Sequence, residues 1–314
     1  MNDLFSEKTI KPMLIGLEAP PFDDAAFIYE LKVDGERCLA YLDPAEGTDL
    51  RNKRGLRVLP RVPELAGLHE NVNRRCILDG ELAVITDGKP DFFAIQRRIL
   101  LSSSLKIQLA ARQHPACFVA FDLLYLDDHP VNDLPLMERK RLLEGTAVRE
   151  DARFAVSRYV ERGGVAFFEL AKAQELEGIV AKRRDSRYYF GKRTRDWIKS
   201  KVLQDEDFVV CGYQRKANSM NSVILGQYQS GQLVCKGHVT LGVGGESLRR
   251  IRELPVLPAP PFDIPVGSED AFWVIPDLVC TVRYMMKTGN GGMRQSVFKG
   301  LRDDKAPEEC VDHG

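Results

Sequence analysis

The sequence predicts an α+β fold in two parts, a larger mixed domain over residues 1–203 and a small β-barrel over 204–314. Three observations carry this expectation. The first two hundred residues alternate strand-like apolar runs with stretches of helical period. Beyond Leu203-Gln204-Asp205 the texture changes to short strands separated by Gly- and Pro-rich turns, which suits a small barrel. At 314 residues the chain has room for one large domain or two ordinary ones.

In order, residues 1–28 hold Pro12, Pro20 and Pro21 and read as a leading strap. Residues 27–32 and 38–42 form strand, turn, strand. A short helix near 60–70 precedes a strand at 75–85. Residues 92–112 keep a helical period through Phe93, Ile95, Leu100 and Leu101. A strand follows at 116–126, then a helix at 135–145 opening on Pro135. Residues 163–173 read as helix, and 177–182 and 196–202 as strands. In the second part, strands are expected at 207–213, 222–228, 233–239 and 278–284.

Composition excludes several classes. Apolar residues at 44% and charged residues at 29% describe an ordinary globular protein, and no apolar run spans a bilayer. The N-terminus has neither the basic start nor the apolar stretch of a signal peptide, so a cytoplasmic, nucleoid-associated location is expected, with no membrane partner. Cys38, Cys76, Cys117, Cys211, Cys235, Cys280 and Cys310 are odd in number and form no Cys-x-x-Cys pair, which argues against a disulfide framework and a structural zinc site. The 45 basic residues balance 45 acidic ones, so distribution matters more than the sum. Positive charge gathers at Arg51-Asn52-Lys53-Arg54 with Arg57 and Arg61, and again between Lys182 and Lys201. Such runs are commonly solvated faces. Two of them flanking a nucleotide site point instead to a phosphate backbone.

The stretch that organises the chain is Tyr29-Glu30-Leu31-Lys32-Val33-Asp34-Gly35-Glu36-Arg37. Lys32 and Asp34, two residues apart on an extended segment, leave it on one face. A lysine held among cations and metal can lose its proton and attack phosphorus. The plainer reading is a charged surface strand that ends in an Asp-Gly hairpin turn. Downstream, polar groups recur at strand ends: Arg51-Asn52, Asp79-Gly80-Glu81, Phe121-Asp122, Glu177-Gly178, then Lys199 and Lys201 on one strand face, and finally Arg302-Asp303-Asp304-Lys305.

This ordered set resembles the motifs of the covalent nucleotidyltransferases, above all ATP-dependent DNA ligases. The ending from Arg294 to Lys305 is similar to that of the ligase domain of bacterial non-homologous end-joining ligases. The resemblance implies an ATP-grasp-like nucleotidyltransferase domain of antiparallel sheets and flanking helices, followed by an OB-fold barrel. It implies that Lys32 attacks the α-phosphate of ATP to give a lysyl-AMP phosphoramidate, with Asp34 and Glu177 holding Mg²⁺. Lys199 and Lys201 would cradle the α-phosphate and, with the metal, favour the neutral Lys32 amine. Phe121 would stack on the adenine, Glu30 would help select it, and Glu81 would accept a hydrogen bond from the ribose. Arg37 would touch the ribose or the nick, and Arg51 the 5′-phosphate of the acceptor strand. Arg302 and Lys305 would orient the pyrophosphate.

The expected substrate is nicked double-stranded DNA, joined through lysyl-AMP and AMP-DNA in repair or end joining. The chain is expected to be a monomeric two-domain core without the helical DNA-encircling domain, or the appended polymerase and nuclease domains, of larger relatives. Help in holding DNA would come from the Ku end-binding protein or a separately encoded polymerase. Alternative readings are an RNA ligase or a GTP-using capping enzyme, which share the lysine chemistry, or a non-catalytic module bridging DNA and Ku.

Overall fold

The computed structural model describes residues 3–215, 220–263, 267–288 and 292–312, which fall into two compact units, Met1–Val202 and Leu203–Gly314. In chain order the first unit holds α1 (Leu4–Glu7), β1 (Leu14–Glu18), β2 (Phe27–Leu31), β3 (Glu36–Asp43), β4 (Gly47–Asn52), β5 (Cys76–Thr86), β6 (Lys89–Pro90), α2 (Phe92–Leu100) and α3 (Ser104–Gln113). It continues with β7 (Ala116–Leu126), β8 (His129–Pro130), α4 (Leu136–Thr146), β9 (Phe154–Val156), β10 (Tyr159–Val160), α5 (Gly164–Ala173), β11 (Gly178–Arg183) and β12 (Arg193–Lys201).

These strands make two sheets. One is five-stranded, in the order β1-β12-β11-β2-β10, and the other is seven-stranded along β4-β3-β5-β7-β8, with β6 beside β5 and β9 beside β7. The Asp-Gly hairpin is therefore not formed. β2 and β3 lie in different sheets, and residues 32–35 carry the chain from one to the other. The leading strap is also more than a strap, since Leu14–Glu18 pairs parallel with β12 as an edge strand. Pro60 and Pro63 hold 59–71 to three short 3₁₀ turns rather than a helix. The long helical period at 92–112 breaks at 101–103, where Ser102 and Ser103 compete for backbone hydrogen bonds. Asp91 starts α2 by accepting from the Ala94 N–H at 2.9 Å.

Three apolar layers hold the unit together. Cys38, Ala40, Leu78, Leu82 and Phe118 from the seven-stranded sheet pack with Ile95 of α2 and Leu143 of α4. The opposite side chains of that sheet, Leu39, Tyr41 and Ile77, meet Val180, Tyr188 and Trp197. On the far side of the five-stranded sheet, Tyr29, Ile179, Ala181 and Ile198 pack on Phe168 and Ala171 of α5. Strand alternation then turns Ile28 and Glu30, and their partners across β11 and β12, to the other face.

The second unit comprises β13 (Gln204–Arg215), β14 (Asn221–Gln229), β15 (Gln232–Val239), α6 (Gly245–Arg252), β16 (Phe272–Trp273), β17 (Val279–Tyr284), β18 (Met286–Lys287), β19 (Met293–Arg294) and β20 (Val297–Arg302). Its main sheet runs β15-β14-β13-β17-β20, with β16 against β13. Bulges at Val210/Gly212, Ile224/Gly226 and Thr281/Val282 bend it. The core is Phe208, Val210, Leu225, Ile251, Val282 and Phe298.

Candidate active site

Register across the five-stranded sheet gathers the site. Glu30 on β2 stands opposite Val180 on β11, which stands opposite Lys199 on β12 and then Glu18 on β1. One step along, the Lys32 N–H donates to the Gly178 carbonyl at 2.9 Å, and Gly178 stands opposite Lys201. Directly opposed residues share a face, so one side of the sheet presents Glu30, Lys32, Lys182, Lys199 and Lys201. Gly178 cannot be replaced here. Its φ is +137°, and a Cβ would come within 2.1 Å of the Ser200 carbonyl oxygen. That glycine seats Glu177 beside the amine, with Glu177 Oε2 2.6 Å from Lys32 Nζ.

Lys32 lines a pocket open to solvent. Its polar walls are Glu30, Lys32, Arg37, Glu81 and Lys182; its aromatic walls are Phe121 and Trp197; and Ile15, Leu31, Val33 and Val180 complete it. Phe121 reaches the cavity through a bulge. Asp79 of β5 faces Asp122 of β7 while the next residue, Gly80, faces Ala120, so Phe121 is left over and turned aside. Gly80 permits this packing, because a Cβ there would meet the Phe118 ring at 2.5 Å.

Arg37 Cζ and Lys182 Nζ lie 4.5 and 4.4 Å from the Phe121 ring centroid, and Lys182 is also 4.3 Å from that of Trp197. The Trp197 indole N–H is buried with no acceptor, an orphan donor of the kind a bound group satisfies.

The residues 15–201 match the ATP dependent DNA ligase domain family, and 216–305 match the ATP dependent DNA ligase C terminal region. The chain belongs to the ATP-dependent DNA ligases. It is 32% identical over 326 residues to the multifunctional non-homologous end joining DNA repair protein LigD of Mycobacterium tuberculosis, aligned over 98% of this chain but 40% of that protein. The chain thus spans about two fifths of the curated relatives of that kind. DNA ligase C1 of Mycolicibacterium smegmatis is 29% identical over 335 residues, covering 98% of this chain and 94% of that one. Among solved structures, the ligase domain of M. tuberculosis LigD is 30% identical with a TM-score of 0.56, covering 98% of this chain and 99% of that one. A mycobacterial DNA ligase D solved with ATP is 31% identical, with a TM-score of 0.57. The fold is accordingly a nucleotidyltransferase domain followed by an OB-fold, as the motifs implied.

The ligase's pocket is electrostatically divided. At its inner wall Glu30 meets Lys182 Nζ at 3.0 Å, Lys140 Nζ at 2.6 Å and the Ser157 hydroxyl at 2.9 Å. Burial alone would raise the Glu30 carboxyl, but the two lysines outweigh it and hold it below the usual range. The same burial, with the like charge of Lys140, brings Lys182 down to about 8 despite Glu30. Nearer Lys32, burial pushes Glu81 up to about 8 even though Arg37 and Lys32 oppose it. Arg37 is clamped by Asp79 at 2.6 and 2.5 Å, and Asp79 also accepts from the Tyr188 hydroxyl at 2.5 Å.

Other expected residues do not line this cavity. Asp34 sits in the linker two residues past Lys32. Lys199 and Lys201 hold Glu18 at 3.3 and 3.1 Å rather than standing bare beside Lys32, whose ion partner is Glu177. Arg51 lines a separate depression with Lys8, Asp49 and Arg57, and pairs with Asp49 at 3.0 Å. Arg302 and Lys305 belong to the second unit, where both reach Asp207, at 2.7 and 2.9 Å.

Sequence reasoning missed Lys182, Lys140 and Trp197 as parts of this site. Lys182 reads as one more charge in a basic run, yet it directly follows the apolar stretch Ile179–Ala181 of β11, and that context is the available signal. Asp122 belongs to the frame. It is fully buried against Arg139, bidentate at 2.7 and 2.8 Å.

Proposed function

We propose that this ligase adenylylates its own Lys32 and passes the adenylate to the 5′-phosphate of a nick in duplex DNA, where the 3′-hydroxyl then displaces AMP and seals the break. The observation that carries the reading is Lys32, one amine at the wall of an aromatic pocket, with a carboxylate 2.6 Å away. The Lys32 nitrogen forms a bond to the α-phosphorus of ATP, the bond to pyrophosphate breaks, and Glu177 is the acceptor within reach of the amine's proton. Phe121 offers its ring to the base, Glu30 its carboxylate to the adenine amino group, and Glu81 a hydrogen bond to the ribose.

Mg²⁺ is commonly taken by one or two carboxylates together with substrate phosphates and water. Glu177, beside Lys32, and Asp34, two residues past it in the chain, would meet that demand, although among the described residues no cluster of three or more His, Cys, Asp or Glu forms a ready cage. When bound, the ion neutralises charge on the transferring phosphoryl group. Lys199 and Lys201 would release Glu18 to meet the α-phosphate. Arg37 meets the ribose or the nick, Arg51 the acceptor 5′-phosphate, and Arg302 and Lys305 the leaving pyrophosphate.

By the same reading the protein works as a monomer in the cytoplasm on end-joining or repair breaks, with Ku and a separate repair polymerase as partners. The names of its LigD relatives support the end-joining or repair setting. Among the described residues no helix is long and apolar enough to cross a membrane. Labelled ATP or GTP, followed by nicked DNA or RNA, tests the assignment. ATP-dependent labelling and DNA sealing are expected; labelling by GTP alone, or joining of RNA alone, would reject it.

A further inference from the structure

The second unit ties two cations to one carboxylate. Asp207 on β13 faces Thr281 on β17, and Thr281 faces Gly300 on β20. Residues opposed in this way share a face, and Gly300 leaves its place empty, with no atom within 4 Å of where a Cβ would stand. Arg302, two residues further along β20, sends Nη1 to Asp207 Oδ2 at 2.7 Å, and Lys305 Nζ reaches the same oxygen at 2.9 Å. The other oxygen accepts from the Thr281 hydroxyl at 2.7 Å, which fixes the rotation of the carboxylate. Thr281, Lys305 and Arg302 together outweigh burial and hold the Asp207 carboxyl below its usual range.

Two cations this close repel one another unless an anion stands between them. Arg302 has a second acid partner, Asp304, which grips its Nε and Nη2 at 3.0 and 2.6 Å. The two acids differ in setting. The Asp304 side chain is 70% exposed and that of Asp207 12%. Asp304 is free to yield to solvent or to an incoming phosphate, whereas Asp207 is packed and held from behind.

We propose that Asp207 is a positioning residue that keeps Arg302 and Lys305 together as one preformed dication, so that both meet the pyrophosphate of ATP in a single approach. The inference rests on the pyrophosphate role given above to Arg302 and Lys305. Asp207 touches no phosphate; it acts through the two cations.

The test uses the full chain carrying Asp207→Asn, Asp207→Glu, Arg302→Ala with Lys305→Ala, and the triple variant. Lysine adenylylation is followed against ATP concentration, sealing of a pre-adenylylated nick is followed separately, and thermal melting checks folding. Asp207→Asn is expected to lower kcat/KM for adenylylation about tenfold, chiefly through KM for ATP, with partial rescue by Asp207→Glu and sealing little changed. In the background lacking both cations, Asp207→Asn should add no further loss. A loss of the same size in that background, or a wild-type rate in folded Asp207→Asn, overturns the inference. Wild-type adenylylation by the variant lacking both cations would instead remove the underlying reading, and this inference with it.

Discussion

Lys32 Nζ lies 2.6 Å from Glu177 Oε2, and the two are brought together because the Lys32 N–H donates to the carbonyl of Gly178, the residue that follows Glu177. The amine and the carboxylate are therefore set by backbone pairing between β2 and β11. Glu177→Gln keeps the shape of the side chain and removes its basicity. Adenylylation of Lys32 should fall by about 10²–10⁴-fold, the usual loss for a positioned general base. Stopped reactions with labelled ATP measure it. A rate within a fewfold of wild type would take Glu177 out of the proton transfer.

Glu81 gives a pH signature. Burial raises its folded pKa to about 8 from an ordinary 4.5, so between those values the folded state holds a proton that the unfolded state has released. Stability must then fall as pH rises through this window and level off above about pH 8. Glu81→Gln abolishes that dependence. Melting of wild type and variant from pH 5 to 8 should diverge, the wild type losing ground as pH rises; parallel curves would place the Glu81 carboxyl in water.

Phe121 projects into the pocket as the surplus residue of a β-bulge. Stacking of a base on an aromatic ring contributes about 1–3 kcal/mol, so Phe121→Ala should weaken ATP binding by about 5- to 150-fold. Adenylylation at saturating ATP should suffer less. Titration of the initial rate with ATP separates the two effects, and an unchanged KM would mean the base lies elsewhere.

Arg139 and Asp122 form a bidentate pair with neither side chain reached by solvent. Leaving one such charge alone costs about 3–5 kcal/mol. Arg139→Ala should lower the melting temperature of the first unit by about 6–20 °C. A smaller loss in a double replacement of Arg139 and Asp122 by apolar residues would show that the unpaired charge, not lost packing, is responsible.

These residues also mark what could be read from sequence. The strand ends bearing Glu30, Lys32, Glu81 and Phe121 are legible through the order of the motifs they belong to, and the structure gathers those four around one cavity. The long strands Cys76–Thr86 and Ala116–Leu126 are legible as apolar, β-branched and aromatic runs. What stayed hidden depends on contacts distant in sequence. Lys140 reads as an ordinary helical lysine until α4 is docked and its amine meets Glu30 2.6 Å away. The bulge that aims Phe121 is a register shift between β5 and β7, which neither strand encodes alone. The strand at Leu14–Glu18 reads as a strap in the sequence because its partner is more than 170 residues away, Leu14 pairing with Arg193. Asp207 gave no signal at all, since its meaning depends on where β20 ends.

The most direct measurement is the intact mass of the protein after incubation with ATP and Mg²⁺, for the wild type and for Lys32→Ala. The account predicts that the wild type gains one adenylate, lost again on addition of nicked DNA, and that Lys32→Ala gains none and seals nothing unaided. An adenylate carried by the Lys32→Ala protein, or nicks joined by it from ATP, would contradict the account.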